Sequence, residues 1–405
     1  MRLGRTPLSG TTTGPSASDV SLHMGLARFT DAGFPWFSPI GQRLMTRIAA
    51  VVRASMERAG YAEFRGPAVS RIETIAPAGW LDKFGDELIG FDAPYDAYTL
   101  SPTSEEPLLT FIGSDGLVSH RQLPMRLFEF REIFRFRDRP QGIYNSRQFQ
   151  CCLFASLDVD HEAYLISAEH AQSTIAAILR ALDLRAELVT DKLTGGFEFI
   201  FPFERGDRPR SRTIPYHRDP HRATTADDDE PQGGLAMGYR YEPVDRFDVR
   251  YRDADNQVRV PVMGTYGLGM QRCVVALAEQ HRTAHGVAFP AQVRPFDVTV
   301  VPQGKTPEIL DHACRIYQEL LDHGINAALD DRLNLGLGQR LRFADAYGVP
   351  WRVVVGASDL AQGQAELRRE QDSSFAARRM PTKKLLTQLF AEHAEPWSPR
   401  EGVRL

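Results

Sequence analysis

Between Ile40 and Gly60 the apolar residues Leu44, Ile48, Val51, Val52 and Met56 recur at helical spacing, and Gly60 stands where a helix C-cap commonly falls. The pattern predicts a long amphipathic helix. Ala62 to Val69 then reads as a short extended segment broken by Pro67, which belongs at a sheet edge or bulge because proline cannot donate to a ladder. A helix followed by an edge strand is well suited to a subunit interface, with a partner covering the apolar face.

The middle of the chain is rich in strand-like runs: Leu123 to Arg137, Ser146 to Phe154, Leu235 to Tyr241, Phe247 to Tyr251 and Val258 to Met270. Joined by turns rather than by regularly alternating helices, they predict an antiparallel sheet in an α+β domain. Residues 205–233 are rich in Arg, Pro, His and Asp with almost no large apolar residue, which predicts a mobile loop. After Pro290 the texture changes. Strands Phe296 to Val301, Ala327 to Asp331 and Trp351 to Val355 alternate with helices Pro307 to His323 and Leu341 to Tyr347, as in a small α/β domain around a mostly parallel sheet. The expected organisation is a flexible tail over 1–19, a first domain over 20–292 and a second over 293–405.

Composition changes this picture little: 405 residues at 42% hydrophobic suffice for two ordinary cores but hardly a third. A formal net charge of -4 argues against binding driven by a large basic field, while leaving room for a local basic groove. The four cysteines, Cys151, Cys152, Cys273 and Cys314, have no spacing suited to zinc and are too sparse for a disulfide framework. A reducing cytoplasm fits, and no apolar run is long enough to span a membrane.

Three segments carry candidate chemistry. In Phe134-Arg135-Phe136-Arg137, strand alternation would turn the phenylalanines inward and project both guanidiniums from one face. A planar, permanently charged guanidinium can hold an α-phosphate and a carboxylate together; the alternative is a solvated basic edge strand. Gly264, Gly267 and Gly269, followed by Arg272 and a helix over Cys273 to Leu277, describe a strand turning into a helix. There glycines let a phosphate approach the backbone and Arg272 reaches the far phosphate, or the glycines merely pack strand against helix. Thr103 and Glu105, in the turn begun by Pro102, can meet an ammonium group, or Thr103 or Ser104 can be a plain helix cap. Phe149 offers a face for adenine or a core side chain. The acidic run Asp227 to Glu230 reads as solvated rather than as a metal cage, so no metal site is expected.

In combination and order, these segments resemble class II aminoacyl-tRNA synthetases of the subgroup containing the prolyl, threonyl, histidyl and glycyl enzymes, and most of all the prolyl ones. The resemblance runs from about Val20 to Arg369. Ser38-Pro39 to Pro67 is similar to motif 1, the dimer-forming helix and strand; Trp80 to Leu88 follows as in prolyl enzymes. Ser101 to Glu106 resembles their substrate-ammonium loop, Phe134 to Phe149 motif 2, and Gly264 to Arg272 motif 3. Ala328 to Arg332 and Arg342 to Ala346 are similar to the anticodon-binding domain of the subgroup.

The resemblance implies a class II catalytic fold, a homodimer, MgATP as substrate, adenylation of an amino acid with proline favoured, and tRNA as acceptor. Arg135 would hold the α-phosphate and the substrate carboxylate, Arg272 the γ-phosphate, and Phe149, Arg137, Gly267 and Gly269 the rest of ATP. Thr103 and Glu105 would hold the amino acid. No zinc-binding tail and no large editing insertion are expected. Three positions depart from the family: Arg137 replaces a glutamate, Asn145 an arginine or histidine, and Ala236 a glutamine. These departures keep two alternatives open, a paralogue that passes the amino acid to a carrier protein or biosynthetic intermediate, and a non-catalytic accessory protein.

Overall fold

The computed structural model describes residues 21–393 apart from 80, 82–83, 95, 115, 137–139, 141, 192–195, 203–231 and 370–376. The expected tail over 1–19 and nearly all of the expected loop over 205–233 lie outside the described residues. The described residues divide into two compact units, one of Phe29–Pro35 with Ala49–Ala276, the other of Trp36–Ile48 with residues 21–28 and 277–393.

Helix α1, Pro39–Arg58, forms as its apolar spacing requires. The Ser38 hydroxyl accepts from the Gly41 amide (3.1 Å) at its start, and Gly60 (φ +81°) reverses the chain at its end. Leu44, Ile48, Val52 and Met56 are fully buried within this one chain. The apolar face therefore finds its cover internally, and the expectation that a partner explains it does not hold.

The first unit is built on a seven-stranded sheet. Its strands in chain order are β1 Ala62–Glu63, β2 Met125–Phe134, β3 Gln148–Asp158, β4 Glu187–Asp191, β5 Gly196–Pro202, β6 Gln232–Tyr241 and β7 Val262–Gly269. They lie side by side in the order β4, β5, β6, β7, β3, β2, β1. All pairings are antiparallel except β1 with β2; short β1 lies at the sheet edge and ends before Pro67, which belongs to no strand. Helix α2 spans Glu105–Ser114 and α3 His161–Ala181. Asp160 caps α3 through an Oδ1 contact with the Ala163 amide (2.8 Å).

One face of this sheet is aromatic. Phe154 packs on Tyr266 (5.0 Å between ring centroids), Tyr266 on Phe197 (5.9 Å) and Tyr61 edge-on to Phe154 (5.3 Å). Helix α3 packs on strands β3, β6 and β7 with Tyr164, Ala168, Ala171, Ile175 and Ile178 buried. Gly238 and Gly264 are needed on this face: a Cβ on Gly238 would lie 2.4 Å from the Tyr266 ring, and one on Gly264 2.1 Å from its hydroxyl. Gly264 thus serves strand packing.

Helix α4, Met270–Gln280, follows β7 directly, longer than the expected Cys273 to Leu277. In the second unit, β8 Val298–Gln303, β9 Ala327–Leu329, β10 Trp351–Gly356, β11 Gln364–Arg369 and β12 Arg378–Pro381 form a sheet in the order β9, β8, β10, β11, β12. The first three are parallel, as expected of buried apolar strands, whereas β11 and β12 add antiparallel, making the sheet mixed. Helix α5, Pro307–Asp322, places Ile309, Ala313, Ile316 and Leu320 on one buried stripe against this sheet. Asp330 is fully buried and takes a two-point ion pair from Arg332 (2.7 and 3.0 Å), whose guanidinium lies over the Phe343 ring (4.3 Å). Arg340 ties the same loop to the Asp330 and Pro302 carbonyls. These residues hold the loop together, leaving Asp331 exposed.

Candidate active site

The register of the large sheet decides which side chains meet. Leu153 opposes Gly267 and Cys151 opposes Gly269; Thr265 opposes Tyr239, Gly267 opposes Met237, and Met237 opposes Glu198. Directly opposed residues share a face, so these form one surface, turned away from the aromatic layer. Part of it is roofed by α2, where Leu108, Leu109 and Ile112 cluster with Ala155, Leu157, Tyr241 and Met263. Beyond α2 the same face opens into a cleft with about 920 Å³ of atom-free space, part of it solvent. That size suits a small-molecule site.

The start of α2 puts carboxylates at the cleft. Thr103, Glu105 and Glu106 are buried, and Thr103 and Glu105 line the opening. Glu105 accepts from the Thr265 hydroxyl (2.7 Å) and the Ser104 amide (3.0 Å). Behind them, Glu106 accepts from the Thr103 hydroxyl and from Tyr241 (2.5 Å). Tyr239 also lines this wall, and burial followed by the charges of Glu105 and Glu106 pushes its phenol well above its ordinary range. The segment is therefore a helix start that also lines the cleft with Thr103 and Glu105.

A buried ion pair anchors it. Arg131 meets Glu129 at 3.0 Å, both almost fully buried, and donates to the Ser101 hydroxyl and the Pro67 carbonyl (2.6 Å each). At the end of β2 the Phe134 amide donates to the Ser101 carbonyl and Arg135 Nε to the Pro102 carbonyl (3.1 Å each). Arg135 thus projects into the cleft beside Thr103, with its guanidinium over Phe84 (4.8 Å) and Phe149 (5.8 Å).

On the other side stands Arg272, in the first turn of α4. Its Nη1 donates to the Gly234 carbonyl (3.0 Å), the Tyr144 ring lies 4.8 Å from the guanidinium, and the Tyr144 hydroxyl donates to that same carbonyl (3.2 Å). Gly267 and Gly269 face the cleft, unlike Gly264. A Cβ at 269 would press on the Arg272 stem at 2.8 Å, and one at 267 on Leu153 at 3.2 Å. Gly234 is equally constrained, since a Cβ there would lie 2.3 Å from Glu198 Oε1.

The cleft therefore gathers Thr103, Glu105, Arg135, Phe149, Gly267, Gly269 and Arg272. Arg137 lies outside the described residues, as does the acidic run 227–230. The expected inward turn of Phe136 is wrong: β2 ends at Phe134, and Phe136 is 43% exposed with Arg147 stacked on it at 3.8 Å. Alternation stops where the strand stops. Asn145 and Ala236 both line the cleft. Cys151 lines it as well, while burial pushes the Cys152 thiol well up and that of Cys273 up to about 12. Among the described residues no three His, Cys, Asp or Glu side chains gather as a metal site would require.

Sequence reasoning missed Thr265, Tyr239, Tyr144 and Gly234. The first two could have been found from strand register, because Thr265 lies two residues from Gly267 on the same pleat. Tyr144 and Gly234 have no local signal.

Comparison with known proteins places these features in context. Residues 297–391 match the family model of the anticodon binding domain. The chain is 29% identical over 402 residues to a proline--tRNA ligase of Methylobacterium sp. (strain 4-46), covering 86% of this chain and 89% of that one. It is 26% identical over 432 residues to that of Acidiphilium cryptum (strain JF-5), covering 93% and 97%. Among solved structures, the Giardia lamblia prolyl-tRNA synthetase in complex with prolyl-adenylate superposes with a TM-score of 0.71 at 17% identity, over 91% of this chain and 75% of that one. The Cryptosporidium parvum prolyl-tRNA synthetase complexed with halofuginone and AMPPNP gives 0.71 at 15% identity, over 93% and 77%. Among the described residues no helix is long and apolar enough to cross a membrane.

Proposed function

We propose a function for a chain that is a class II aminoacyl-tRNA synthetase related to the prolyl-tRNA synthetases, with an anticodon-binding domain in its C-terminal part: it condenses proline with MgATP and transfers the prolyl group to tRNA in the cytoplasm. The observation that carries this reading is the convergence of an acidic wall, Thr103 and Glu105, with two separately held guanidiniums, Arg135 and Arg272, in one cleft.

The chemistry follows from that layout. The ammonium of the amino acid is held at Thr103 and Glu105, which leaves its carboxylate directed to Arg135. A carboxylate oxygen attacks the α-phosphorus of ATP; that bond forms as the bond from the α-phosphorus to the bridging oxygen breaks, and pyrophosphate leaves with the electron pair. Arg135 offsets the charge gathering on the α-phosphate, and Arg272 holds the far end of the triphosphate. Phe149 offers its face to the adenine. Catalysis is mainly positioning and electrostatics, because the attacking carboxylate needs no base. In the second step a ribose hydroxyl of the acceptor attacks the acyl carbon and AMP departs.

The anticodon-domain match over residues 297–391 supports an organisation in which residues 20–292 activate the amino acid and residues 293–405 read the tRNA. Asn145 and Ala236, both in the cleft, favour a second reading in which adenylation is retained and a carrier protein receives the amino acid. Pyrophosphate exchange, with each common amino acid in turn, is the test of the first step. Exchange with proline above all others is expected; exchange with none removes the catalytic reading.

A further inference from the structure

We propose that Glu106 is a positioning residue that fixes the hydrogen-bond polarity of the amino-acid subsite, so that it accepts only a cationic amine. This inference rests on the amino-acid-activation reading above. A threonine hydroxyl has one proton to give and two lone pairs to receive with, and an ionised carboxylate can only receive. Glu106 is fully buried, with one oxygen on the Thr103 hydroxyl and the other on the Tyr241 hydroxyl. Both hydroxyl protons must point at Glu106, since a buried charge left without such donors is costly.

Thr103 can then turn only lone pairs toward the cleft. The same polarity is repeated beside it. Thr265 spends its proton on Glu105 Oε1 (2.7 Å), and the Ser104 amide occupies Glu105 Oε2 (3.0 Å) without removing its remaining lone pairs. The three side chains Thr103, Glu105 and Thr265, apart from the Tyr239 phenol beside them, thus offer acceptors and no hydroxyl donor. An ammonium, which has donors and no acceptor, is their complement. An ether or hydroxy-acid oxygen in the same place would meet lone pair against lone pair.

Glu106→Gln tests this, because it keeps the shape but must present an amide NH₂ to one of the two hydroxyls. That hydroxyl then accepts, and its proton is released to point elsewhere. In pyrophosphate exchange the KM for proline should rise at least about tenfold, the worth of one charge-assisted hydrogen bond, while the KM for ATP changes less than about twofold. Thr103→Val should add little in the Glu106→Gln background, since the acceptor it removes is already compromised. Tetrahydrofuran-2-carboxylate, which has an oxygen where proline has its ammonium, should inhibit the variant better relative to proline than it inhibits the wild type. If Glu106→Gln fails to fold, Tyr241→Phe serves instead: it removes the Tyr241 hydroxyl while leaving that of Thr103 on Glu106 and should spare the KM for proline, whereas Thr103→Val raises it.

Equal rises in both KM values, an unchanged KM for proline, or full additivity with Thr103→Val would overturn the assignment and leave Glu106 a plain structural residue. Wild-type protein that supports exchange with no amino acid would remove the activation reading itself, and this proposal with it.

Discussion

Arg272 makes one hydrogen bond among the described residues, from Nη1 to the Gly234 carbonyl, and its plane rests on Tyr144. The remaining donors are held in place without being used up, as a phosphate grip requires. Arg135 is similar: Nε is spent on Pro102, and Phe84 and Phe149 flank the guanidinium. Each is expected to give an ATP phosphate charge-assisted hydrogen bonds worth roughly 1.5 to 3 kcal/mol. Alanine at either position should weaken ATP binding about tenfold or more by calorimetry; unchanged affinity in both variants would refute the phosphate assignment. That both arginines share one cleft was legible in the sequence, because each sits in a segment whose order along the chain is informative. The carbonyl that holds Arg272 was not, since Gly234 is 38 residues away and becomes its neighbour only through sheet pairing. Phe136 shows the converse, where a local pattern was extended past the end of its strand.

At the scale of elements, the sheet has two faces with different duties, and each can be tested separately. On the packed face, a Cβ at Gly238 would come within 2.4 Å of Tyr266 and 2.6 Å of Phe197. Gly238→Ala should therefore cost about 1 to 3 kcal/mol of stability, the usual range for overpacking, seen as a lower urea midpoint at unchanged slope. The same layer buries Asp158, which accepts from Ser167 (2.6 Å) and Ser156 (2.7 Å). Desolvation outweighs these bonds and raises its pKa above the ordinary 3.8. The native carboxyl thus holds its proton more tightly than the unfolded one. Its contribution to stability is full below pH 3.8 and is lost as pH rises through the raised native value. Asp158→Asn removes that loss, so urea titrations should show the variant gaining on the wild type across this window and then running parallel; a constant difference at every pH would contradict it.

The amphipathic helix α1 was legible almost to the residue, because 3.6-residue spacing and a terminal glycine are local signals. Helix α3 went unread between the strand-like runs, although Tyr164, Ala168, Ala171, Ile175 and Ile178 carry the same spacing after the Asp160 cap. Its buried stripe is largely alanine at the middle, which lowers the apolar contrast. Strands β4 and β5 also went unread, as did the antiparallel β11 and β12 that extend the expected mostly parallel sheet. Strand neighbours are set by long-range pairing, which a local pattern does not contain.

For the whole molecule, the resemblance of Ser38 to Pro67 to motif 1 implies a two-fold dimer. The covered face of α1 withdraws one argument for it, so the dimer has to be measured: sedimentation velocity at micromolar concentration should give the dimer mass, and a stable monomer would count against it. The acceptor is the larger question. In the second domain Asp330, Arg332, Arg340 and Phe343 are engaged with one another, so they shape a loop, and bases would meet what that loop presents, such as exposed Asp331. Single-stranded bases are read by stacking and edge hydrogen bonds, for which a rigid loop is an advantage. We therefore expect label from proline to enter acid-precipitable RNA when the protein is incubated with ATP and total tRNA. Parallel incubations with candidate carrier proteins should remain unlabelled. Pyrophosphate exchange without labelled RNA, but with labelled carrier, would move the acceptor to a protein and give Asn145 and Ala236 a functional meaning; no exchange with any amino acid would leave a binding protein on a synthetase fold.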